Sequence, residues 1–283
     1  DAYDVSVVDD RLSKKHLREI IVDLPNTITF DEAIPVLAKD AYDYLAISPG
    51  VPMSHPLVKQ AKKLGIPVFG DVELFFNEKK ILKNTKIVGI TGSNGKTTVT
   101  EMVGAICHTA NVSYVLGGNI GKPVLDILQE IRLGERDEPE VMVFELSSFQ
   151  LDATRSHAFD VAILLNVTED HMDRYDNFQS YVDSKFRIFD RADKKIINQK
   201  KINVKKNIDS SYVTFGLCEV SSGKNWGIQK NRNSTAIYQG SNLLLDVGKL
   251  KAIGKHNIEN CLAAAAITDL LNIRFESISE ALE

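Results

Sequence analysis

Cysteine is scarce in this 283-residue chain: Cys107, Cys218 and Cys261 are three in number, scattered, and without metal-ligand spacing. That argues against a disulfide scaffold, and the three read as reduced packing residues of a cytoplasmic protein. An excess of positive charge is also missing. Lys and Arg total 34 against 38 Asp and Glu, a formal net charge of −4. Nucleic-acid-binding domains are usually basic, so no nucleic-acid partner is expected. The longest apolar runs, residues 161–165 and 261–267, are far too short to cross a bilayer, and no basic-then-apolar leader opens the chain. No membrane partner is expected. Internal repeats and low-complexity tracts are absent too. What is present is an ordinary globular balance, 43% apolar and 25% charged, at a length that suggests about two domains.

Short apolar runs alternate with amphipathic stretches, the pattern of an α/β fold with a parallel sheet. In the first part, residues 5–8, 27–30, 44–47 and 68–69 read as strands, and 31–39, 55–64 and 71–79 as helices. A loop near 78–85 separates this part from a more strongly marked pattern. There, 86–91, 141–145 and 160–166 read as strands, and 96–110 and 177–189 as helices. Shorter strands are expected at 212–215, 235–238 and 243–245, and an Ala-rich helix at 257–271. A strand-like run opens the chain and a helical pattern at 278–283 closes it, so a fragment of a longer protein is expected.

Three segments carry chemistry. The strand at 86–91 runs into Gly92-Ser93-Asn94-Gly95-Lys96-Thr97-Thr98 and then a helix. Glycines let backbone N–H groups turn inward, and a helix N-terminus adds partial positive charge, so the loop is suited to phosphate. Lys96 would reach the β- and γ-phosphates and the Thr97 hydroxyl would ligate Mg²⁺. The strict eight-residue phosphate-loop pattern fails, because its first glycine falls at Ile90; the motif here is the shorter Thr-Gly-x-x-Gly-Lys-Thr. Next, the apolar strand 141–144 ends on Glu145, where a phosphate-bound Mg²⁺ needs a carboxylate. A solvated strand-end acid is the plainer alternative. Finally, the apolar strand 161–165 runs into Asn-Val-Thr-Glu-Asp-His-Met-Asp-Arg-Tyr, which sets His171 past another strand end as a metal ligand or proton-transfer group. A charged surface loop is the alternative there.

The strings TGSNGKTTVT, GGNIG, ELSSFQL, NVTEDHMDRY and GKHNIENCLAA occur in this order, and together they resemble the Mur ligases over nearly the whole chain. ELSSFQL and HMDRY point to the member that adds D-glutamate. The resemblance implies a clipped Rossmann-like domain over residues 1–84, binding the UDP-substrate and lacking its first strand. It implies a P-loop-type ATP-binding α/β domain over 85–283, and a C-terminal ligase domain absent from the chain. The implied cofactors are ATP and two Mg²⁺ ions. Gly92, Ser93, Asn94, Gly95, Lys96, Thr97 and Thr98 would bind the ATP phosphates, and His256, Asn257 and Asn260 would lie near the adenine. Thr97 and Glu145 would hold one Mg²⁺, and His171 with a carbamylated Lys185 the second. Without the resemblance, Lys185 is a solvated lysine on an amphipathic helix, and His256 to Asn260 an ordinary helix cap. Asn119, in Gly117-Gly118-Asn119-Ile120-Gly121, would touch the substrate pyrophosphate, a plain turn between strand and helix being the alternative, and Ser147 and Gln150 would contact its muramoyl-alanine end. Asp9, Asp10 and Arg11, with Ser48, Pro49 and Gly50, would grip the uridine and its phosphates; turn chemistry alone would also explain them.

The implied reaction joins D-glutamate to UDP-N-acetylmuramoyl-L-alanine (UDP-MurNAc-L-Ala). ATP phosphorylates the L-alanine carboxylate, and the amine attacks the acyl phosphate. A monomer is expected. Two other readings stay open: a nucleotide-binding module without turnover, and another amide ligase of the folylpolyglutamate type. A switch GTPase would want an Asn-Lys-x-Asp string, which the sequence lacks.

Overall fold

The computed structural model describes residues 5–9, 26–30, 33–34, 37–38, 42–198, 200–202, 208–220, 223–230, 234–251 and 254–283. Asp10 and Arg11, and most of the helix expected at 31–39, lie outside the described residues. The chain divides into two units, Asp1–Gly70 and Asp71–Glu283.

In the first unit, β1 (Ser6–Val8) pairs in parallel with β2 (Asn26–Ile28), and β3 (Leu45–Ala46) with β4 (Val68–Phe69). Parallel neighbours need a crossover between them, and α1 (Pro56–Lys63) supplies it for the second pair. Pro56 stands at the first helical position, where its missing N–H costs nothing, and His55 Nδ1 caps the turn by accepting from the Leu57 amide at 3.2 Å. Gly65, at φ +76°, ends the helix in the left-handed region. The face with Leu57, Val58 and Ala61 is buried.

The second unit is built on one nine-stranded sheet. Its strands are β5 (Lys86–Thr91), β6 (Tyr114–Gly118), β7 (Val141–Glu145), β8 (Val161–Leu164), β9 (Lys194–Asn198), β10 (Tyr212–Phe215), β11 (Trp226–Lys230), β12 (Thr235–Gln239) and β13 (Asn242–Asp246). The spatial order is β6-β7-β5-β8-β9-β10-β11-β12-β13. Pairing is parallel from β6 to β11, and the last two strands fold back as an antiparallel meander. The central strands β5, β7 and β8 are almost continuously buried, as a sheet covered on both faces requires.

Alternation along these strands feeds two cores. Val88, Ile90, Val143 and Ile163 face α3 (Lys96–Thr109), α7 (Lys255–Leu270) and α8 (Phe275–Leu282). Ile87, Met142, Phe144 and Leu164 face α2 (Asp71–Glu78), α4 (Val124–Leu133) and α6 (Phe178–Phe186). A short helix, α5 (Ser148–Asp152), follows β7. Cys107 and Cys261 are free thiols inside the first core, and burial pushes them up to about 12 and about 11. They are packing groups, unsuited to thiolate chemistry.

The expected domain boundary at 84/85 differs from the division found. Helix α2 belongs to the second unit because its aromatic face has no core of its own. The Phe75 ring meets Phe144 edge-on at 4.9 Å, and Phe76 meets Phe159 at 5.1 Å. Glu73 is buried on the same helix and its carboxylate accepts from the Arg155 and Ser156 amides at 2.6 and 2.9 Å. Truncating such a ring leaves a cavity. Phe75→Ala is therefore expected to destabilise the second unit by about 3–5 kcal/mol in urea unfolding; a loss below about 1 kcal/mol would place α2 outside that core.

Candidate functional site

Strand order creates the site. β5 lies between β7 and β8, and the chain leaves it toward β6 on one side and later toward β9 on the other. At such a switch point the loops after neighbouring strands splay apart, leaving a crevice at the strands' carboxyl ends. The loop 92–95, Glu145 and the segment after β8 all sit at that edge, in register through Ile90–Glu145 and Thr91–Leu164.

The loop's backbone is fixed by its glycines and by β8's continuation. Gly95 caps α3 at φ +84°, and an added Cβ would stand 2.8 Å from Asn260 Oδ1. Asn166 clasps the loop: its carbonyl accepts from the Ser93 amide at 3.1 Å, its Oδ1 from the Asn94 amide at 2.9 Å, and its Nδ2 donates to the Asn94 carbonyl at 2.9 Å. Ser93 Oγ donates to the Thr168 carbonyl and accepts from the Thr168 amide, both at 3.1 Å. The open end of α3 thus presents its first amides beside Lys96 and Thr97, the arrangement that holds an anion.

Around this loop are one acid and two bases. Glu145 is only 2% exposed. Its Oε2 accepts from the Thr97 hydroxyl at 2.8 Å and its Oε1 from Asn119 Nδ2 at 2.9 Å. Lys96 Nζ donates to the carbonyls of Gly92 at 3.1 Å and Ser93 at 3.3 Å. Lys185 Nζ donates to the same Gly92 carbonyl at 2.9 Å and lies 4.8 Å from the centre of the Tyr181 ring. Lys185 is 2% exposed, which overturns the solvated-helix alternative. Burial, and then the neighbouring Lys96 charge, lowers its pKa to about 7. The Tyr181 hydroxyl reaches Ser93 Oγ at 3.0 Å, so helix α6 is tied to the loop beside Lys185.

The other expected residues each have their own setting. His171 is exposed, with φ +54°; its ring packs 5.0 Å from Phe149, and Asp170 Oδ2 lies 3.4 Å from its Nε2. Ser147 caps α5 in a reciprocal box with Gln150, whose Nε2 donates to Asp71 Oδ2 at 3.1 Å. Gln150 is buried, with both ends of its amide taken up inside the protein. Asn257 and His256 lie in the first turn of α7, but the N-cap is Gly254, with no side-chain cap. Ser48, Pro49 and Gly50 form the turn after β3, where Ser48 Oγ accepts from the Gly50 amide at 3.4 Å. Asp9 follows β1. Among the described residues no three His, Cys, Asp or Glu side chains gather as a metal cluster.

Sequence reasoning passed over Asn166, Thr168 and Tyr181. The first two stand just past the apolar run of β8, which is itself the signal. Tyr181 is four residues before Lys185, the spacing that puts two side chains on one helix face.

The profile of the Mur ligase middle domain matches residues 90–268. The chain is 40% identical to the UDP-N-acetylmuramoylalanine–D-glutamate ligase of Nitrosospira multiformis over 98% of its own length, and 37% identical to that of Thiobacillus denitrificans over 99%. It spans 60% and 61% of those relatives' lengths. Among solved structures, it is similar to a UDP-N-acetylmuramoyl-L-alanyl-D-glutamate–2,6-diaminopimelate ligase (TM-score 0.60, 16% identity, 90% of this chain and 66% of that one). It is likewise similar to the UDP-N-acetylmuramate–alanine ligase of Thermotoga maritima (TM-score 0.55, 21% identity, 98% and 61%). At these identities the two structures bear on the fold alone.

The lowered pKa of Lys185 has a stability consequence. Between about pH 7 and 10.5 the unfolded chain keeps a proton that the folded one has released, so stability rises with pH across that window. Below pH 7 both forms are protonated and the cost of burying the charge is constant. In CO₂-free, metal-free buffer, Lys185→Met is expected to remove a slope of at most about 1.4 kcal/mol per pH unit from urea unfolding between pH 7.5 and 9.5. An unchanged slope would show that Lys185 stays charged.

Proposed function

The chain belongs to the Mur ligase family, and from that premise we propose that it carries the nucleotide- and substrate-binding portion of an ATP-dependent ligase joining D-glutamate to UDP-MurNAc-L-Ala. The observation that carries the reading is the meeting of Thr97 and Glu145 beside Lys96 at the mouth of the phosphate loop. The two D-glutamate ligases named above supply the substrate class.

The residues present fit Mg²⁺. A hydroxyl and a carboxylate oxygen, both hard donors, stand 2.8 Å apart at a helix N-terminus suited to phosphate. Magnesium is held by one or two such groups together with phosphate oxygens and water, without a dedicated cage. Thr97 and Glu145 would hold the ion, and when bound it neutralises charge on the phosphates. Lys96 would leave the Gly92 carbonyl for the β- and γ-phosphates, and the first amides of α3 would bind them from the other side. His256, Asn257 and Asn260 would border the adenine; Asn260 already lies against Gly95.

The chemistry needs a carboxylate made electrophilic. The L-alanine carboxylate oxygen attacks the γ-phosphorus and the bond to the bridging oxygen breaks, leaving ADP. The D-glutamate amine then attacks the acyl carbon, loses a proton, and expels inorganic phosphate. Positioning two anions against each other is the main barrier, and the basic groups of the loop lower it. Asp9, Asp10, Arg11, Ser48, Pro49 and Gly50 would receive the uridine diphosphate, and Ser147 and Gln150 the muramoyl-alanine end, for which the Gln150 amide would have to give up its bonds to Ser147 and Asp71. A monomer in the cytoplasm belongs to this reading.

Lys185 would be carbamylated. Its unprotonated amine would attack the carbon of CO₂, forming an N–C bond as one C=O π bond opens onto oxygen, and the nitrogen would lose a proton to solvent, leaving an anionic carbamate beside Lys96. With His171 that carbamate would hold a second Mg²⁺. Two experiments test the reading. Lys96→Ala in the full-length protein is expected to cut phosphate release with ATP, UDP-MurNAc-L-Ala and D-glutamate by at least about 10²–10³-fold; normal turnover would refute the loop's role. Incubation with ¹³C-bicarbonate near pH 8 should give a carbamate ¹³C resonance that Lys185→Met lacks; no such resonance in the unsubstituted protein would refute the modification.

A further inference from the structure

Asn119 was expected to face a substrate phosphate, but its hydrogen bonds run to Glu145. Both halves of the residue take part. Its backbone N–H donates to the Glu145 carbonyl at 2.8 Å, and its Nδ2 donates to Glu145 Oε1 at 2.9 Å. The preceding residue makes this geometry possible. Gly118 closes the β6–β7 ladder opposite Glu145 at φ +100°, and a Cβ there would run into the Glu145 carbonyl. Only glycine brings the chain this close, and the close approach sets the Asn119 amide over the carboxylate. A second tie holds the turn, since the Gly118 amide donates to the Lys122 carbonyl at 3.2 Å.

The two oxygens of Glu145 therefore have different duties. Oε2 faces Thr97, whose hydroxyl proton must rotate away before both oxygens can serve a cation. Oε1 is held by an amide that has no such conflict. We propose that Asn119 is a positioning residue: its side-chain amide holds one oxygen of Glu145 so that the other is presented, together with the Thr97 hydroxyl, to the divalent cation of a bound nucleotide. The inference rests on the assignment of Thr97 and Glu145 as metal ligands. Outer partners that orient a ligating carboxylate typically contribute 10–100-fold to metal affinity. A residue that only contacts substrate, or only shapes the turn, would contribute none.

Mn²⁺ is the probe, because its EPR signal distinguishes free from bound ion. On the full chain, Mn²⁺ affinity is measured in the presence of ATP, and ATP affinity separately in EDTA. Asn119→Ala is expected to weaken Mn²⁺ about 10–100-fold and to alter the EPR line shape of the bound ion, with ATP affinity in EDTA unchanged. Asn119→Leu, which keeps the bulk and loses the donor, is expected to do the same. The unchanged affinity in EDTA shows that the phosphate loop is still folded. Unchanged Mn²⁺ affinity in both variants, with a loss in Glu145→Gln, overturns the positioning role and leaves the metal ligands standing. Unchanged affinity in Glu145→Gln as well overturns both together. A parallel loss of ATP affinity in EDTA in both Asn119 variants overturns the proposal in favour of a structural role for the turn.

Discussion

One backbone carbonyl, that of Gly92, accepts hydrogen bonds from two lysine amines. The amines can be no farther apart than those two bonds laid end to end, and one of them is almost wholly withdrawn from water. Two ammonium groups so placed repel, and in a low-dielectric interior the repulsion is severe. The conflict has two resolutions, loss of a proton or arrival of anions. The pKa of Lys185, lowered first by burial and then by the Lys96 charge, favours the first. The second is what a phosphate loop exists to accept. The two amines are thus placed where a polyanion would relieve their repulsion.

The sheet makes that arrangement possible. Lys96 and Thr97 come from the helix after β5, Glu145 from the end of β7, and the Asn166 clasp from just beyond β8, while Lys185 reaches in from α6. Parallel strands that all end on one edge deliver these groups to one place although they span about ninety positions of chain. Buried apolar strands make the positions rigid, because slipping any of them by one residue would exchange the two cores. Small residues at Ala263–Ala266 let α7 lie close to the sheet and bring Asn260 against Gly95.

Much of this was legible in the residues. A strand, a turn with two glycines, and Lys-Thr opening a helix carry a local signal that tertiary context does not override, so the phosphate loop stands where expected. Glu145 and the segment after residue 165 were legible for a related reason, as polar residues ending apolar runs. Strand β6 and the helix after it were not, since Gly117 and Gly118 read as a turn and their strand character comes from pairing with β7. The burial of Lys185 was illegible as well. Its hydrogen-bond partner, the Gly92 carbonyl, lies far along the chain, and nothing in its own helix names it. The place of α2 was illegible for a like reason: nothing within 71–78 says which core its two phenylalanines enter, and Phe144 and Phe159 lie far along the chain.

The same distinction separates the residues that hold the site from those that would act in it. Asn166, Thr168, Tyr181 and Asn119 make their hydrogen bonds to protein groups, and each fixes a residue of the phosphate loop or Glu145. Lys96, Thr97 and Lys185 make bonds that a ligand could replace, to carbonyls or to a carboxylate that has a second partner. A buried polar group keeps its partner unless something better is offered, because leaving it unmade costs about 1–3 kcal/mol. Phosphate oxygens and a divalent cation are such offers for the second set. For the first set they are not, since its amide and hydroxyl groups already have partners within the clasp or on Glu145. A rigid clasp around exchangeable groups lets the loop change its partners without changing its shape.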